Sequence, residues 1–187
     1  MNTRTVLPES YKEILHVDLQ KNKKQMLIVN GIALVITAVM LPIGFLVTPI
    51  WSLYDNFAQL IVLVLGTILY ILLHEIVHGI CMKHFSGEKP FYGFTGLYAY
   101  AGSNAYFCRK DYVIIALAPV VLWGIVLLVM NLLLGETYFW VIYFIQILNI
   151  SGAGGDFYVS WKFSKMPKDI LINDIGVSMT VYAKESH

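Results

Sequence analysis

The sequence predicts an all-α membrane protein with about four transmembrane helices and a short β-hairpin or strands on the cytosolic side. Of its 187 residues, 58% are hydrophobic and 13% are charged, whereas soluble domains are roughly 45–50% apolar and about 25% charged. Four apolar segments are long enough to cross a bilayer, and the basic residues lie only before the first, between the second and third, and after the fourth. The net charge of +1 gives no sign of a nucleic-acid partner, so the expected surrounding is a lipid bilayer.

The predicted membrane-spanning helices follow from length and hydrophobicity. A hydrocarbon core of about 30 Å is crossed by about 20 helical residues. The segments that meet this requirement are 26–50, 57–82, 112–134 and 138–155. A polar stretch of 25 residues precedes the first segment. That segment is also too long for the apolar part of a cleavable signal peptide, so we expect it to remain in the protein.

The distribution of basic residues predicts the orientation. All 13 lysines and arginines lie before the first segment, between the second and third, or after the fourth. The connections 51–56 and 135–137 contain none. Because basic residues concentrate in the cytosolic loops of membrane proteins, both termini are predicted to be cytosolic. The expected location is the plasma membrane of a bacterium.

The remaining segments define the predicted domain organisation. Residues 1–25 form a polar cytosolic segment that could carry a short surface helix, residues 26–160 the transmembrane domain, and residues 161–187 a cytosolic tail. The aromatic and glycine-rich stretch 91–107 favours strands or a hairpin near the interface. Alternation of apolar and smaller or polar side chains predicts a strand over 176–183 in the tail.

The stretch "LYILLHEIVHGI" places ionisable residues inside the second apolar segment. His74 and His78 are four residues apart, so both rings lie on one helix face, where a Zn²⁺ ion can bridge them. Glu75 is adjacent and can take a proton from a metal-activated water. A charged residue at the centre of a span costs roughly 2.5–3.5 kcal/mol, and ionisable residues in spans usually mark function. The pattern therefore predicts a zinc site.

A catalytic zinc ion needs a third protein ligand. Asp156 is the predicted one, because the fourth segment starts outside and its helix returns to the depth of the histidines after about 18 residues. The glycines beside it allow the backbone to break there. His84 is the alternative, at the spacing HExxHxxGxxH, although Cys81 replaces the glycine of that pattern. If the helix continues, His84 faces away from His78.

Two further positions within the spans have roles that the sequence leaves open. Asn149 precedes Asp156 by one to two helical turns, and its buried amide needs hydrogen-bond partners. It could hydrogen-bond a substrate carbonyl or an oxyanion, which would make it a catalytic residue, or it could link two helices. Pro119 interrupts the backbone hydrogen bonds of the third segment, which could shape a cavity or only kink the helix.

These motifs together resemble a known class of enzymes. An HExxH on a span, the "ALAP" of residues 116–119 and the "N…GD" of residues 149–156 resemble the site-2 protease type of intramembrane zinc metalloprotease. More closely, they resemble small bacterial zincin membrane peptidases, over about residues 57–160. The resemblance implies His74, His78 and Asp156 as zinc ligands, Glu75 as the base, and a β-structured segment beside the site. Unlike site-2 proteases, the chain has glycines in place of the proline in the last motif and shows no PDZ-like module.

The function predicted from the sequence is that of a zinc-dependent, membrane-embedded endopeptidase. Its expected partners are membrane proteins or peptides, cut near the cytosolic face. The alternatives are a non-proteolytic membrane protein that binds a metal or haem, an inactive protease-like scaffold, and a different membrane zincin with another third ligand. No pattern in the sequence specifies the substrate, its entry path or the oligomeric state.

Overall fold

The computed structural model describes residues 3–19, 21–53, 57–96 and 98–185. The protein is mostly helical, with small antiparallel sheets. In chain order its elements are β1 (Tyr11–Val17), α1 (Lys23–Val47), a short 3-10 helix (Ile50–Leu53), α2 (Phe57–Ser86), β2 (Phe91–Phe94), β3 (Ala99–Gly102), β4 (Tyr106–Cys108), α3 (Arg109–Gly152), α4 (Gly154–Ser164), β5 (Leu171–Asp174) and β6 (Met179–Lys184).

The long helices form where the sequence is continuously apolar. Among the described residues, three helical stretches are long and apolar enough to cross a membrane: Lys23–Val47, Phe57–Ser86 and Arg109–Ser164. The first two correspond to the first two predicted spans. Such helices are apolar around their whole circumference, which is typical of segments surrounded by lipid or by other helices.

The third stretch contains a reversal of chain direction at Gly135. This glycine has φ 64° and ψ −163°, a backbone conformation that side chains with a Cβ rarely adopt. Around it, the Asn149 side chain donates to the Val120 carbonyl and the Gln146 side chain donates to the Gly124 carbonyl. In each pair the two residues are nearly the same number of positions before and after Gly135. The chain therefore folds back on itself there, and α3 consists of two antiparallel helices. They correspond to the third and fourth predicted spans.

The chain divides into two compact units. The first, here called the sheet unit, comprises Met1–Leu27, Glu75–Ala118 and Gly155–His187; the second, here called the helical unit, comprises Ile28–His74 and Pro119–Gly154. Tyr70, Leu127, Ile142 and Ile145 form one buried cluster of the helical unit. In a second cluster, the buried Trp140 indole donates to the Thr48 and Pro49 carbonyls.

The described strands of the sheet unit form a four-stranded antiparallel sheet of order β1-β6-β5-β4 and a β2-β3 hairpin. The predicted β-structure of 91–107 is confirmed, and the strand predicted at 176–183 is present as β6, which begins at Met179. The prediction of a surface helix within 1–25 is wrong, because Tyr11–Val17 forms a strand that pairs with Met179–Lys184. That pairing buries Val17 and Val181 completely, and such long-range packing overrides weak local preferences.

Candidate metal centre

The HExxH residues form a group of potential metal ligands on helix α2. The ligand atoms of His74, Glu75 and His78 all lie within 4.8 Å of one another. Both histidines are buried, each 9% exposed. The helix continues without a break to Ser86, so the sharp turn that would bring His84 back to the site does not form. His84 is exposed and packs against Phe85, which disfavours it as the third ligand.

In the sheet unit, His78 is held in one defined orientation. Its Nδ1 lies 2.9 Å from the Ile115 carbonyl oxygen. Because a carbonyl can only accept a hydrogen bond, Nδ1 must carry the proton, and Nε2 is then the nitrogen that can ligate a metal. In metal-binding histidines, the ring nitrogen that does not bind the metal usually donates a hydrogen bond to a carboxylate or a backbone carbonyl, which fixes the orientation of the ring.

Asp156 lies beside the ligating nitrogen of His78. Its Oδ1 is 3.7 Å from His78 Nε2, which is too long for a direct hydrogen bond. Two ligand atoms of one tetrahedral zinc ion are about 3.4 Å apart at the usual bond lengths. The observed separation is therefore close to that required of two ligands of one ion. Asp156 lies in the first turn of α4, just after the helix break at residue 153.

The acceptor of His78 depends on Pro119. In an uninterrupted helix the Ile115 carbonyl would accept from the backbone N–H of residue 119, but proline has no N–H. The Ile115 oxygen can therefore accept from His78 instead. Neither role considered from the sequence, a cavity or a simple kink, includes this one: Pro119 leaves the Ile115 carbonyl free of its helical partner, so that it can accept from His78 at the candidate metal centre.

In the helical unit, His74 is held through a chain of hydrogen bonds. The Tyr70 hydroxyl lies 2.9 Å from His74 Nδ1 and donates to Asn149 Oδ1 at 3.0 Å. The Asn149 amide donates to the Val120 carbonyl at 3.1 Å. Asn149 is completely buried, and both ends of its amide contact the protein. Its predicted contact with substrate stays a prediction. Tyr70 was missed, although its position four residues before His74 on the same helix face was a usable signal.

The β2-β3 hairpin of the sheet unit lies against the HExxH turn. The Ala101 N–H donates to the Glu75 carboxylate. A Cβ at position 79 would overlap the Tyr92 hydroxyl, so Gly79 is required for the hairpin to approach the helix. Burial raises the pKa of Tyr92, and the negative charge of Glu75 raises it further by a smaller amount. The β-structured segment that the resemblance implied beside the site is present.

Asp174 is a buried acid near this centre that sequence reasoning missed. Its carboxylate accepts hydrogen bonds from the Tyr112 hydroxyl and the Gly176 N–H, each at 2.7 Å. Burial raises the pKa of Asp174 to about 6, and the negative charge of Asp156 also raises it, whereas both hydrogen bonds lower it. In the sequence, Asp174 looks like an ordinary turn residue of a polar tail, so no pattern indicated it.

Comparison with protein families identifies the chain. Residues 67–171, more than half of its length, match a family described as "Putative zincin peptidase". The chain belongs to this family. Zincin peptidases take their name from zinc, and the match includes the HExxH, Pro119, Asn149 and Asp156. The family description is consistent with the group of potential metal ligands formed by His74, Glu75 and His78.

One curated relative is similar over part of its length. It is an "Uncharacterized 24.7 kDa protein in gap 5'region" from Pyrococcus woesei, 35% identical over 124 residues, which cover 63% of this chain and 53% of the relative. The chain thus spans about half the length of the relative it matches. No solved structure matches this zincin.

The role of Pro119 in this zincin predicts a loss of zinc affinity when the proline is replaced. Pro119→Ala restores an N–H that competes with His78 for the Ile115 carbonyl. We expect zinc affinity to fall roughly tenfold, the low end for partners of ligand histidines, because the carbonyl keeps a second lone pair. A chelator competition titration of the purified protein measures the change. Pro42→Ala is the matched control, since Pro42 lies inside α1. Equal zinc affinities of the two variants would contradict this role.

Proposed function

We propose that the protein is a membrane-embedded zinc endopeptidase that hydrolyses membrane or membrane-associated proteins and peptides near the cytosolic face. The observation that carries the proposal is the arrangement of His78. Its Nδ1 is anchored to the Ile115 carbonyl, and its Nε2 lies 3.7 Å from Asp156 Oδ1. A backbone carbonyl on Nδ1 and a carboxylate near Nε2 are what a ligand histidine requires, and they support the assignment of His78 as a ligand.

The donor chemistry of the residues present fits a zinc ion: ligand atoms of His74, Glu75 and His78 cluster on α2, and Asp156 lies near His78. Two imidazoles and a carboxylate form a common donor set of catalytic zinc sites, and we assign these ligands to His74, His78 and Asp156. A bound zinc ion supplies a Lewis acid for the scissile carbonyl and for the attacking water. Glu75, partly buried on the same helical turn, accepts the proton of that water and delivers it to the leaving amine.

The environment of the enzyme is proposed to be a bilayer crossed four times. Large apolar side chains on the outer faces of the long helices are exposed, including Leu34, Leu65 and Leu132, which are 70%, 61% and 76% exposed. A bilayer would cover these surfaces. The reversal at Gly135 divides the third apolar stretch into two crossings. With the basic residues on one side, both termini are proposed to lie in the cytosol, and the membrane is proposed to be a bacterial plasma membrane.

The β2-β3 hairpin is the proposed substrate-binding element. Within the described residues β2 pairs only with β3, so its other edge is available to an extended peptide. Edge pairing recognises backbone rather than side chains and holds the substrate extended. Phe94, at the end of β2, is 71% exposed and could contact substrate side chains. Helical membrane segments must unwind before cleavage, and this edge would stabilise the unwound form.

Chelation tests the proposal directly. The purified full chain, reconstituted in liposomes with a membrane-anchored reporter peptide, should cleave the reporter. Cleavage should stop after zinc is removed with a chelator and return when zinc is added. If a chelator leaves the rate unchanged, zinc catalysis is excluded. A Soret absorption band would instead favour the haem-binding alternative, and bound zinc without cleavage of any of several reporters would favour the inactive scaffold.

A further inference from the structure

Asn149 and Tyr70 form a hydrogen-bonded chain whose polarity can be deduced. The Val120 carbonyl only accepts, so the Asn149 atom that faces it at 3.1 Å is the amide nitrogen. The amide oxygen therefore faces Tyr70. This oxygen also only accepts, so the Tyr70 hydroxyl donates its single proton to it over 3.0 Å. The orientation of the whole chain is fixed by one backbone carbonyl.

The same logic fixes the protonation of His74. Since the Tyr70 proton points to Asn149, the Tyr70 oxygen can only accept from His74 Nδ1, which lies 2.9 Å away. In the neutral ring that ligates a metal, His74 is then protonated at Nδ1, and Nε2 carries the lone pair. The opposite tautomer would leave Nδ1 and the Tyr70 oxygen as two facing acceptors. In a buried site that repulsion is costly, since water does not relieve it.

We infer that Tyr70 and Asn149 are positioning residues that hold His74 in the zinc-binding tautomer. The inference rests on the proposed zinc site. It gives Asn149 a task without substrate contact, since its side chain is completely buried and both amide ends contact the protein. It also parallels His78, whose Nδ1 is held by the Ile115 carbonyl. Each ligand histidine thus has its own acceptor.

Packing holds the Tyr70 ring independently of its hydroxyl. The ring makes edge contacts with the His74 and Trp123 rings at 5.7 and 6.4 Å. It also belongs to the buried cluster with Leu127 and Ile145. Tyr70→Phe should therefore keep the ring in place and remove only the hydroxyl, which makes it a clean probe of the hydrogen bonds.

The experiment measures zinc affinity of the purified full chain by competition with a chromophoric chelator. Tyr70→Phe should weaken zinc binding roughly 10- to 100-fold, the usual effect of removing a partner of a ligand histidine. The cobalt-substituted protein should show a shifted visible spectrum, because the His74 ring is no longer fixed. Tyr143→Phe is the matched control, since the Tyr143 hydroxyl donates to the Met40 carbonyl at 2.6 Å in the same unit. Its zinc affinity should stay at the wild-type value.

A double-mutant cycle decides whether Asn149 acts through Tyr70. Asn149→Ala should weaken zinc binding about tenfold in the wild-type background but add little in the Tyr70→Phe background, because the link is already broken. Additive effects, or wild-type zinc affinity in Tyr70→Phe, would overturn the inference. A wild-type chain that binds zinc but cleaves nothing would refute the peptidase proposal alone. A wild-type chain that binds no zinc would overturn both.

Discussion

Glu75→Gln should abolish peptide-bond cleavage while zinc stays bound. The amide has the size of the carboxylate but cannot accept a proton from the attacking water. General-base catalysis typically accelerates a reaction about 10²- to 10⁴-fold. We therefore expect the cleavage rate in the liposome assay to fall by a factor in that range or larger. A loss of 10³-fold corresponds to about 4 kcal/mol of transition-state stabilisation. Zinc affinity should change little, because His74, His78 and Asp156 remain.

The control and the metal content make this result specific. Glu88→Gln removes an exposed carboxylate just after the end of α2, and we expect full cleavage from it. If Glu75→Gln cleaves at the wild-type rate, Glu75 is not the base. If Glu75→Gln loses its zinc, then Glu75 is a ligand, which its place among the clustered ligand atoms permits. Measuring zinc and cleavage on the same preparations separates these outcomes.

The parts of the site that the sequence predicts are those set by local spacing. The i, i+4 rule places His74 and His78 on one face before any tertiary structure is known. The extents of α1 and α2 follow from unbroken apolar length. The glycines before Asp156 indicated a break in the helix, and the structure has one at residue 153. Each of these features is determined by a stretch of sequence no longer than one membrane-spanning helix.

The missed features depend on partners far away in the chain. Strand β1 forms because Tyr11–Val17 meets a strand more than 160 residues later, and nothing local requires it. Asp174 becomes a buried acid only because Tyr112 and the turn at Gly176 surround it. The role of Pro119 was undecided for the same reason. The missing N–H is visible in the sequence, but the histidine that uses the vacated carbonyl lies 37 residues away from Ile115.

Asp156→Ala is expected to have the second large effect, a loss of zinc affinity of more than about 100-fold. That exceeds the range for residues that only support a ligand, because a direct ligand is removed. The observation behind it is the 3.7 Å separation of Asp156 Oδ1 from His78 Nε2. Chelator competition and the metal content of the purified protein measure the loss. Asp169→Ala removes an exposed carboxylate of the same unit and should leave zinc binding unchanged.

A purely structural role for Asp156 predicts a different outcome. In the first turn of α4 its charge interacts favourably with the helix N-terminus, which is worth about 0.3–1 kcal/mol. If that were its only task, Asp156→Ala would lower thermal stability slightly and leave zinc affinity unchanged. Asp156→Asn sharpens the distinction, because the amide keeps an oxygen near His78 but is a much poorer zinc ligand than a carboxylate. Zinc loss in both variants supports ligation, and wild-type zinc affinity in Asp156→Ala would place the third ligand elsewhere.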